Sequence, residues 1–224
     1  MQSQLVRALL FAVLFLLLLA AVELIHKRLR VRAEVTRKTA HFVAAVATLS
    51  FPYLFTVHWY ALVLAVLFFL LLLASRNTGR LSAIHDINRD SAGSFLLPVG
   101  IYLPFLIGLQ AGDTLLFTLP ILILAISDPL AGLSGMHFRG PRIALLSWRT
   151  RKTWHGSCAF FGSALLISLL AVFLEAGRVD AHLGLVALCV AAAATVTELL
   201  SPLGTDNLAV PLVSLAVLWL FRHG

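Results

Sequence analysis

Long apolar runs separated by short polar stretches make up nearly all of this chain. A helix needs roughly 20 consecutive apolar residues to cross a bilayer, and several runs approach that length. The pattern predicts eight candidate helices, over residues 5–25, 39–57, 58–75, 94–110, 113–134, 156–174, 182–200 and 207–221. Because some of these runs are short, we expect an all-α polytopic integral membrane protein with about seven to eight transmembrane helices. No linker divides the chain, which predicts a single membrane-embedded domain over residues 1–224.

The composition agrees with a membrane protein. Hydrophobic residues make up 60% of the chain and charged residues 12%, with a mean hydropathy of +0.97. A soluble domain carries about twice that share of charge. The net charge of +7 is explained by basic residues flanking membrane helices, so no nucleic-acid partner is predicted. Both cysteines, Cys158 and Cys189, lie in apolar runs, which gives no support to a disulfide or a cysteine metal site.

The basic residues predict the orientation of the helices. Residues 26–38, 75–93 and 135–155 contain six, three and five of the 17 Lys and Arg residues, whereas the even-numbered connections contain only Arg178. With eight helices, the odd-numbered connections share one face, and basic connections usually face the cytosol. The seventh connection, residues 201–206, lies on that same face. We therefore expect a protein of the cell (inner) membrane with its active site facing the cytosol.

Asp128 is the first candidate site residue, because it lies inside the apolar run "ILILAISDPLAGLSG". Acidic residues within a membrane span are costly and are usually functional. The alternative is a structural role, with Asp128 capping a broken half-helix that starts at Pro129. The small residues that follow, Gly132 and Gly135 among them, would let a ligand or another helix approach the backbone.

Two basic stretches are further candidates. In "TRKTAHF", Arg37, Lys38 and His41 are spaced to line adjacent ridges of one helix, although such a cluster can simply anchor a protein to anionic lipid. In "RTRKTWHGSC", Lys152 precedes Gly156-Ser157, an arrangement similar to a phosphate cradle at a helix start. The alternative for this stretch is again a basic flank of a membrane helix.

The acidic stretch "TELLSPLGTDNLAVPL" contains Glu198, Asp206 and Asn207 around a Pro-Gly turn. It is either an ordinary polar connection between two membrane helices or part of a site at the membrane surface. The basic stretches are predicted to lie on the same face, which favours the site. The chain contains no Walker P-loop, protein-kinase glycine-rich set or nucleophile elbow, so any phosphate chemistry must use membrane-embedded residues.

In their order along the chain, these stretches resemble the diacylglycerol/polyprenol kinase family, which includes phytol kinase, dolichol kinase and CTP-dependent diacylglycerol kinase. The resemblance covers residues 36–212. Its matches are Arg37-Lys38 with His41, Asp128 with Ala131 and Gly135, Lys152 with Gly156-Ser157, Glu198 with Asp206-Asn207 and Pro211, and, more weakly, Arg89 with Gly93-Ser94 and Pro98. The chain departs from the family at Ser127, where a glycine is usual, and at His155, where an acidic residue is usual.

The resemblance implies transfer of the γ-phosphoryl group of a nucleoside triphosphate, typically CTP, to a membrane lipid alcohol, with Mg²⁺ as cofactor. The implied partners are the nucleotide, the lipid alcohol and membrane lipids. The implied catalytic residues are Asp128, Lys152, Glu198 and Asp206, and the implied metal ligands are Asp128, Asp206 and Glu198. The implied substrate-binding residues are Arg37, Lys38, His41, Arg89, Gly135, Gly156, Ser157 and Asn207.

Two other functions remain open from the sequence. Phosphatidate cytidylyltransferases have a stretch similar to "KTW-x-G", but their C-terminal signature, rich in His-Gly-Gly and Asp-Arg, is missing here. A non-catalytic transporter or lipid-binding membrane protein would need polar residues along a path across the membrane. In this chain the acidic and basic residues instead gather on one predicted face.

Overall fold

The computed structural model describes residues 2–31, 33–77, 81–85, 92–138, 141, 143, 152–178 and 180–223. These residues form helices and no strand, which confirms the predicted all-α class. The helices are α1 (Gln2–Leu29), α2 (Ala33–Thr48), α3 (Phe51–Leu54), α4 (Trp59–Asn77), α5 (Ser82–His85), α6 (Gly93–Ala111), α7 (Leu115–Leu122), α8 (Asp128–His137), α9 (Trp154–Ala176), α10 (Ala181–Leu200) and α11 (Asp206–His223). A π-helical turn, Ile123–Ser127, joins α7 to α8.

Six helices in the described part of the chain are long and apolar enough to cross a membrane. They are Gln2–Leu29, Trp59–Arg76, Gly93–Ala111, Leu115–His137, Trp154–Ala176 and Ala181–Leu200. The predicted count of seven to eight is therefore approximate. The two remaining long helices differ for a physical reason: α2 has only 16 residues and a basic first half, and α11 has polar residues at both ends. These two helices carry much of the candidate site.

The helix predicted over residues 39–57 has different bounds in the structure. Helix α2 begins earlier, at Ala33, and ends at Thr48, and Pro52 then lies in the first turn of the separate short helix α3. Proline fits the first turn because its missing N–H is not needed there. As a result, Arg37 and Lys38 lie within the helix together with His41, rather than in the connection before it.

The chain does not break at Asp128, so the structural alternative for this residue, a cap on a broken half-helix, does not hold. Asp128 has helical backbone angles, φ −65° and ψ −49°, and no side-chain capping hydrogen bond forms at this junction. Pro129 cannot donate a hydrogen bond to the preceding turn. The wider π-helical turn at Ile123–Ser127 accommodates that loss within a continuous helix, and turns of this kind are frequent at functional sites.

The odd-numbered connections come together at one end of the bundle. The Glu23 carboxylate of α1 accepts hydrogen bonds from Ser82 Oγ at 2.8 Å and Ala83 N at 2.9 Å. The Ala92 N–H, just before α6, donates to the Leu203 carbonyl of the seventh connection at 2.8 Å. This end, called the site end below, therefore unites the connections that the basic residues predicted to share one face.

The even-numbered connections meet at the opposite end. Arg222, near the end of α11, donates two hydrogen bonds to Glu175 at 2.8 and 2.7 Å and also pairs with Asp113 before α7. Helix α11 is thus fixed at both ends of the bundle. Between these ends it packs closely on α6, because a Cβ atom at Gly100 would overlap the carbonyl oxygen of Asn207.

Candidate active site

Lys152 is the centre of a buried ion-pair cluster at the site end. Its Nζ contacts Glu198 Oε1 and lies 3.1 Å from Asp206 Oδ2. Glu198 lies in the last turn of α10, Asp206 opens α11, and Lys152 immediately precedes α9. Thr153 fixes the start of α9, since its side chain accepts a hydrogen bond from the Gly156 N–H at 3.2 Å. Three separate helix ends therefore bring one ammonium and two carboxylates together.

The charge of Lys152 is maintained by its neighbours. Burial alone would lower the pKa of the ammonium, but Asp206 and Glu198 outweigh burial, with a smaller contribution from Asp128. The pKa of Lys152 therefore lies above its ordinary value of 10.5. Lys152 is consequently a half-buried cation at neutral pH, and a positive charge is what a phosphate group requires.

A second ion pair joins α2 to α8. Lys38 Nζ lies 3.4 Å from Asp128 Oδ2 and donates a hydrogen bond to the Asp128 carbonyl oxygen at 3.2 Å. Gly132, one turn beyond Asp128, leaves room for this side chain, because a Cβ atom there would overlap Lys38 Nζ and Cε. The site thus contains one buried ammonium group, that of Lys38, one half-buried ammonium group, that of Lys152, and three carboxylates.

His41 and Arg37 lie on the same helix as Lys38 but have other partners. The buried His41 ring places Nε2 3.4 Å from the Leu124 carbonyl oxygen in the π-helical turn. Arg37 pairs with Glu34 at 2.9 Å, and its buried Nε has no hydrogen-bond partner among the described residues. The structure therefore places both predicted residues on α2 beside the site and leaves one guanidinium donor unused.

The predicted glycines allow α8 and α9 to approach each other. A Cβ atom at Gly156 would lie 2.9 Å from the Ala131 carbonyl oxygen, and one at Gly135 would lie 2.8 Å from Thr153 Oγ1. Beside them, the buried Ser157 hydroxyl has no hydrogen-bond partner among the described residues. The glycines therefore act by close packing, while Ser157 offers a free hydroxyl near Lys152.

Asn207 links the acidic stretch to α6. Its Nδ2 donates to the Gly93 carbonyl oxygen at 2.7 Å, and its side chain is buried. This contact positions the start of α11, and with it Asp206. Arg89, the remaining predicted substrate-binding residue, lies outside the described residues.

Ser127 and His155, the two residues that differ from the family pattern, each make a defined contact. Ser127 is fully buried and accepts a hydrogen bond from Ser163 Oγ at 2.9 Å, which joins the π-helical turn to α9. His155 is exposed, and its ring stacks on Phe138 with centroids 5.6 Å apart. The sequence reasoning missed Glu34 and Glu23 as partners at this end. Two signals in the sequence could have identified them: Glu34 lies three residues before Arg37, and Glu23 is an acidic residue inside the first apolar run.

The carboxylates suit a hard metal ion such as Mg²⁺ in their chemistry. Carboxylate oxygens are the ligands that Mg²⁺ prefers, and Glu198 Oε2 is buried with no hydrogen-bond partner in the described part of the chain. No group of three His, Cys, Asp or Glu residues in this part is arranged to hold a metal ion. Instead, Glu198 and Asp206 share Lys152 while Asp128 pairs with Lys38. The set of metal ligands stays a prediction.

Taken together, the apolar helices and the buried polar cluster at one end define a helical integral membrane protein with a charged site. The chain is 29% identical over 189 residues to a phytol kinase from Synechocystis sp., covering 84% of this chain and 79% of that protein. The resemblance to polyprenol and phytol kinases predicted from the motifs is thereby confirmed. No family model and no solved structure matches the chain.

Proposed function

We propose that this protein is a lipid kinase that transfers the γ-phosphoryl group of a nucleoside triphosphate to a membrane alcohol. CTP is the proposed donor by family resemblance, and a polyprenol, phytol or diacylglycerol is the proposed acceptor. The observation that carries this proposal is the half-buried Lys152 held between the buried residues Glu198 and Asp206. The second ion pair, Lys38 with Asp128, and the similarity to a phytol kinase support it.

The two ammonium groups account for nucleotide binding. Phosphoryl transfer depends mainly on positioning the reactants and stabilising charge. Lys38 and Lys152 can each exchange a carboxylate partner for a phosphate oxygen, because both contacts are charge-assisted hydrogen bonds of the same kind. The unused donors, Arg37 Nε and the Ser157 hydroxyl, would supply two further contacts to the phosphates.

The carboxylates that this exchange releases are the proposed metal ligands. Asp128, Glu198 and Asp206 would hold Mg²⁺, which when bound neutralises charge on the phosphates. In the transfer, the alcohol oxygen bonds to the γ-phosphorus while the bond to the β–γ bridging oxygen breaks, and the nucleoside diphosphate leaves. The alcohol proton passes to one of the three carboxylates. The lipid hydroxyl would reach this site from headgroup depth.

The test is an assay of purified protein with labelled CTP or ATP and a panel of polyprenol, phytol, farnesol and diacylglycerol. We expect a phosphorylated lipid from the wild-type protein and loss of that product in Lys152→Ala. The matched control is Arg178→Ala, because Arg178 is an exposed cation at the opposite end. No phosphorylated lipid from any acceptor, or equal product from folded Lys152→Ala, would overturn the proposal. In a parallel reaction with phosphatidate as acceptor, a cytidylylated lipid with release of pyrophosphate would identify the cytidylyltransferase alternative.

A further inference from the structure

A partly open groove runs between α1, α2, α4 and α6, away from the charged cluster. Its empty space is about 480 Å³, which includes the part of the groove that is open to the surroundings. Its lining includes Phe11, Ala44, Ala61, Phe68, Leu97 and Tyr102. The three alanines at positions 44, 61 and 65 leave space that larger side chains would fill.

The groove offers no polar group to a ligand. Its two lining hydroxyls already have partners: Thr48 Oγ1 donates to the Ala45 carbonyl at 2.7 Å, and the Tyr102 hydroxyl lies 3.0 Å from His58 Nδ1. A ligand with buried polar groups would lose its hydrogen bonds to water there without replacement. The chemistry of the lining therefore selects a hydrocarbon chain.

The groove approaches the charged site along α2. His41, Ala44 and Thr48 are spaced three and four residues apart, so they lie on one face of the helix. With a rise of about 1.5 Å per residue, the groove begins roughly 4.5 Å along the helix axis from His41. On α6, the lining residues Leu97 and Ile101 are four and eight residues beyond Gly93, whose carbonyl oxygen accepts a hydrogen bond from Asn207 at the site. Lys38 lies about 9 Å along α2 from the start of the groove, so a chain that extends out of the groove toward the site would bring its head group to Lys38 and Asp128.

We propose that this groove binds the hydrocarbon chain of the alcohol acceptor and that Ala61, at the end of the groove far from the site, limits the chain length accepted. This proposal rests on the proposed lipid kinase function. Ala61 lies near the start of α4 beside His58 and Tyr102, whereas the charged cluster is at the other end of the bundle. A larger side chain at position 61 would shorten the groove from its far end.

The first experiment compares turnover of phytol with turnover of the shorter alcohol geraniol. In Ala61→Phe we expect the ratio of phytol to geraniol turnover to fall at least tenfold, because only the longer chain reaches position 61. The matched control is Val63→Phe on the same helix, where the side chain is 64% exposed and faces away from the groove. An unchanged ratio in folded Ala61→Phe, or an equal fall in Val63→Phe, would overturn the proposal. If Ala61→Phe does not fold, Ala65→Leu takes its place.

The second experiment does not depend on turnover. A prenyl alcohol with a terminal diazirine is photo-crosslinked to the wild-type protein, and the labelled peptides are mapped by mass spectrometry. We expect labels in the lining segments of α4 and α6, displaced by excess phytol and not by ordinary phospholipid. Labels confined to lipid-exposed faces, or displaced equally by phospholipid, would overturn the groove. If the protein phosphorylates no alcohol yet shows the expected labels, the kinase proposal fails and the groove stands as an alcohol-binding site.

Discussion

The charged residues of the site stabilise one another in a position where a single charge would be costly. Burying an unpaired ammonium or carboxylate costs several kcal/mol in protein environments. Lys152 has two carboxylate partners, whereas Lys38 has one carboxylate and one backbone carbonyl. Each ion pair also occupies a carboxylate oxygen, which a substrate phosphate would release in the proposed reaction. The resting pairs therefore keep the binding groups in place and charged.

A substitution at Gly132 tests whether lipid phosphorylation depends on the position of Lys38. In Gly132→Ala the new methyl group would overlap Lys38 Nζ and Cε, so the flexible side chain must move away from Asp128. We expect lipid phosphorylation to fall about tenfold, corresponding to ~1.4 kcal/mol, with little change in thermal stability. The control is Gly162→Ala, because a Cβ atom there has no neighbour within 4 Å. Equal activity of the two variants would remove the Lys38 ion pair from the site.

Lys152 also predicts how stability depends on pH. Its pKa is raised in the folded protein, so its ion pairs contribute fully below the ordinary value of 10.5 and are lost as the pH rises through the folded pKa. We expect the difference in melting temperature between wild type and Lys152→Met to be constant from about pH 7 to 9 and to shrink only above about pH 10. A difference that already shrinks between about pH 7 and 9 would contradict a raised pKa. Thermal unfolding of both proteins in detergent across this pH range measures the difference in melting temperature.

At the scale of elements, apolar runs predicted most helices well, whereas the bounds of α2, which has a basic first half, were predicted poorly. Helices α6, α9 and α10 match their predicted ranges to within two residues, because polar or small residues end each run. Helix α2 was placed too late, because Arg37 and Lys38 have the pattern of a connection. These two residues are helical because their charged partners, Glu34 and Asp128, lie within the folded protein. A local sequence pattern does not reveal a tertiary contact such as that between Lys38 and Asp128. The π-helical turn was missed for a similar reason, since hydrophobic periodicity does not detect a single widened turn.

The composition of the site was predictable, but its pairing was not. All five charged residues of the Lys152 cluster and the Lys38–Asp128 ion pair were singled out from the sequence. The order of these residues in the sequence does not determine that Lys38 pairs with Asp128 and that Lys152 pairs with Glu198 and Asp206. That choice follows from which helix ends meet: α2 packs beside the π-helical turn, whereas the start of α9 meets the ends of α10 and α11.

The contact between α6 and α11 predicts a site-positioning role for Gly100. In Gly100→Ala the methyl group would overlap the backbone carbonyl of Asn207, and this backbone cannot move aside as a flexible side chain can. The two helices must separate, at a cost of about 1–3 kcal/mol for overpacking. We expect a melting temperature in detergent several degrees lower than that of Gly162→Ala. A stability equal to that of Gly162→Ala would show that the helices are not closely packed.

For the whole molecule, the two-ended arrangement of polar groups makes a prediction about topology. The connections at the site end contain most of the basic residues and are expected to face the cytosol. In a background with Cys158 and Cys189 replaced by alanine, Leu203→Cys should react only with reagent on the cytosolic side. Arg178→Cys, at the opposite end, should react only from outside. External labelling of Leu203→Cys would contradict a cytosolic site.

The proposed transfer makes the γ-phosphorus of the nucleotide the atom that reaches the lipid. The most direct measurement gives the purified protein phytol and CTP labelled either at the α- or at the γ-phosphate, and compares wild type with Asp128→Asn. Loss of this carboxylate should lower the rate by ~10³-fold or more, because charge stabilisation at the transferring phosphate is lost. Glu175→Gln, at the far end, is the matched control and should be unchanged. The predicted result is lipid labelled from γ-CTP only, lost in Asp128→Asn; lipid labelled from α-CTP, or full γ-transfer by folded Asp128→Asn, would contradict a lipid kinase built on this site.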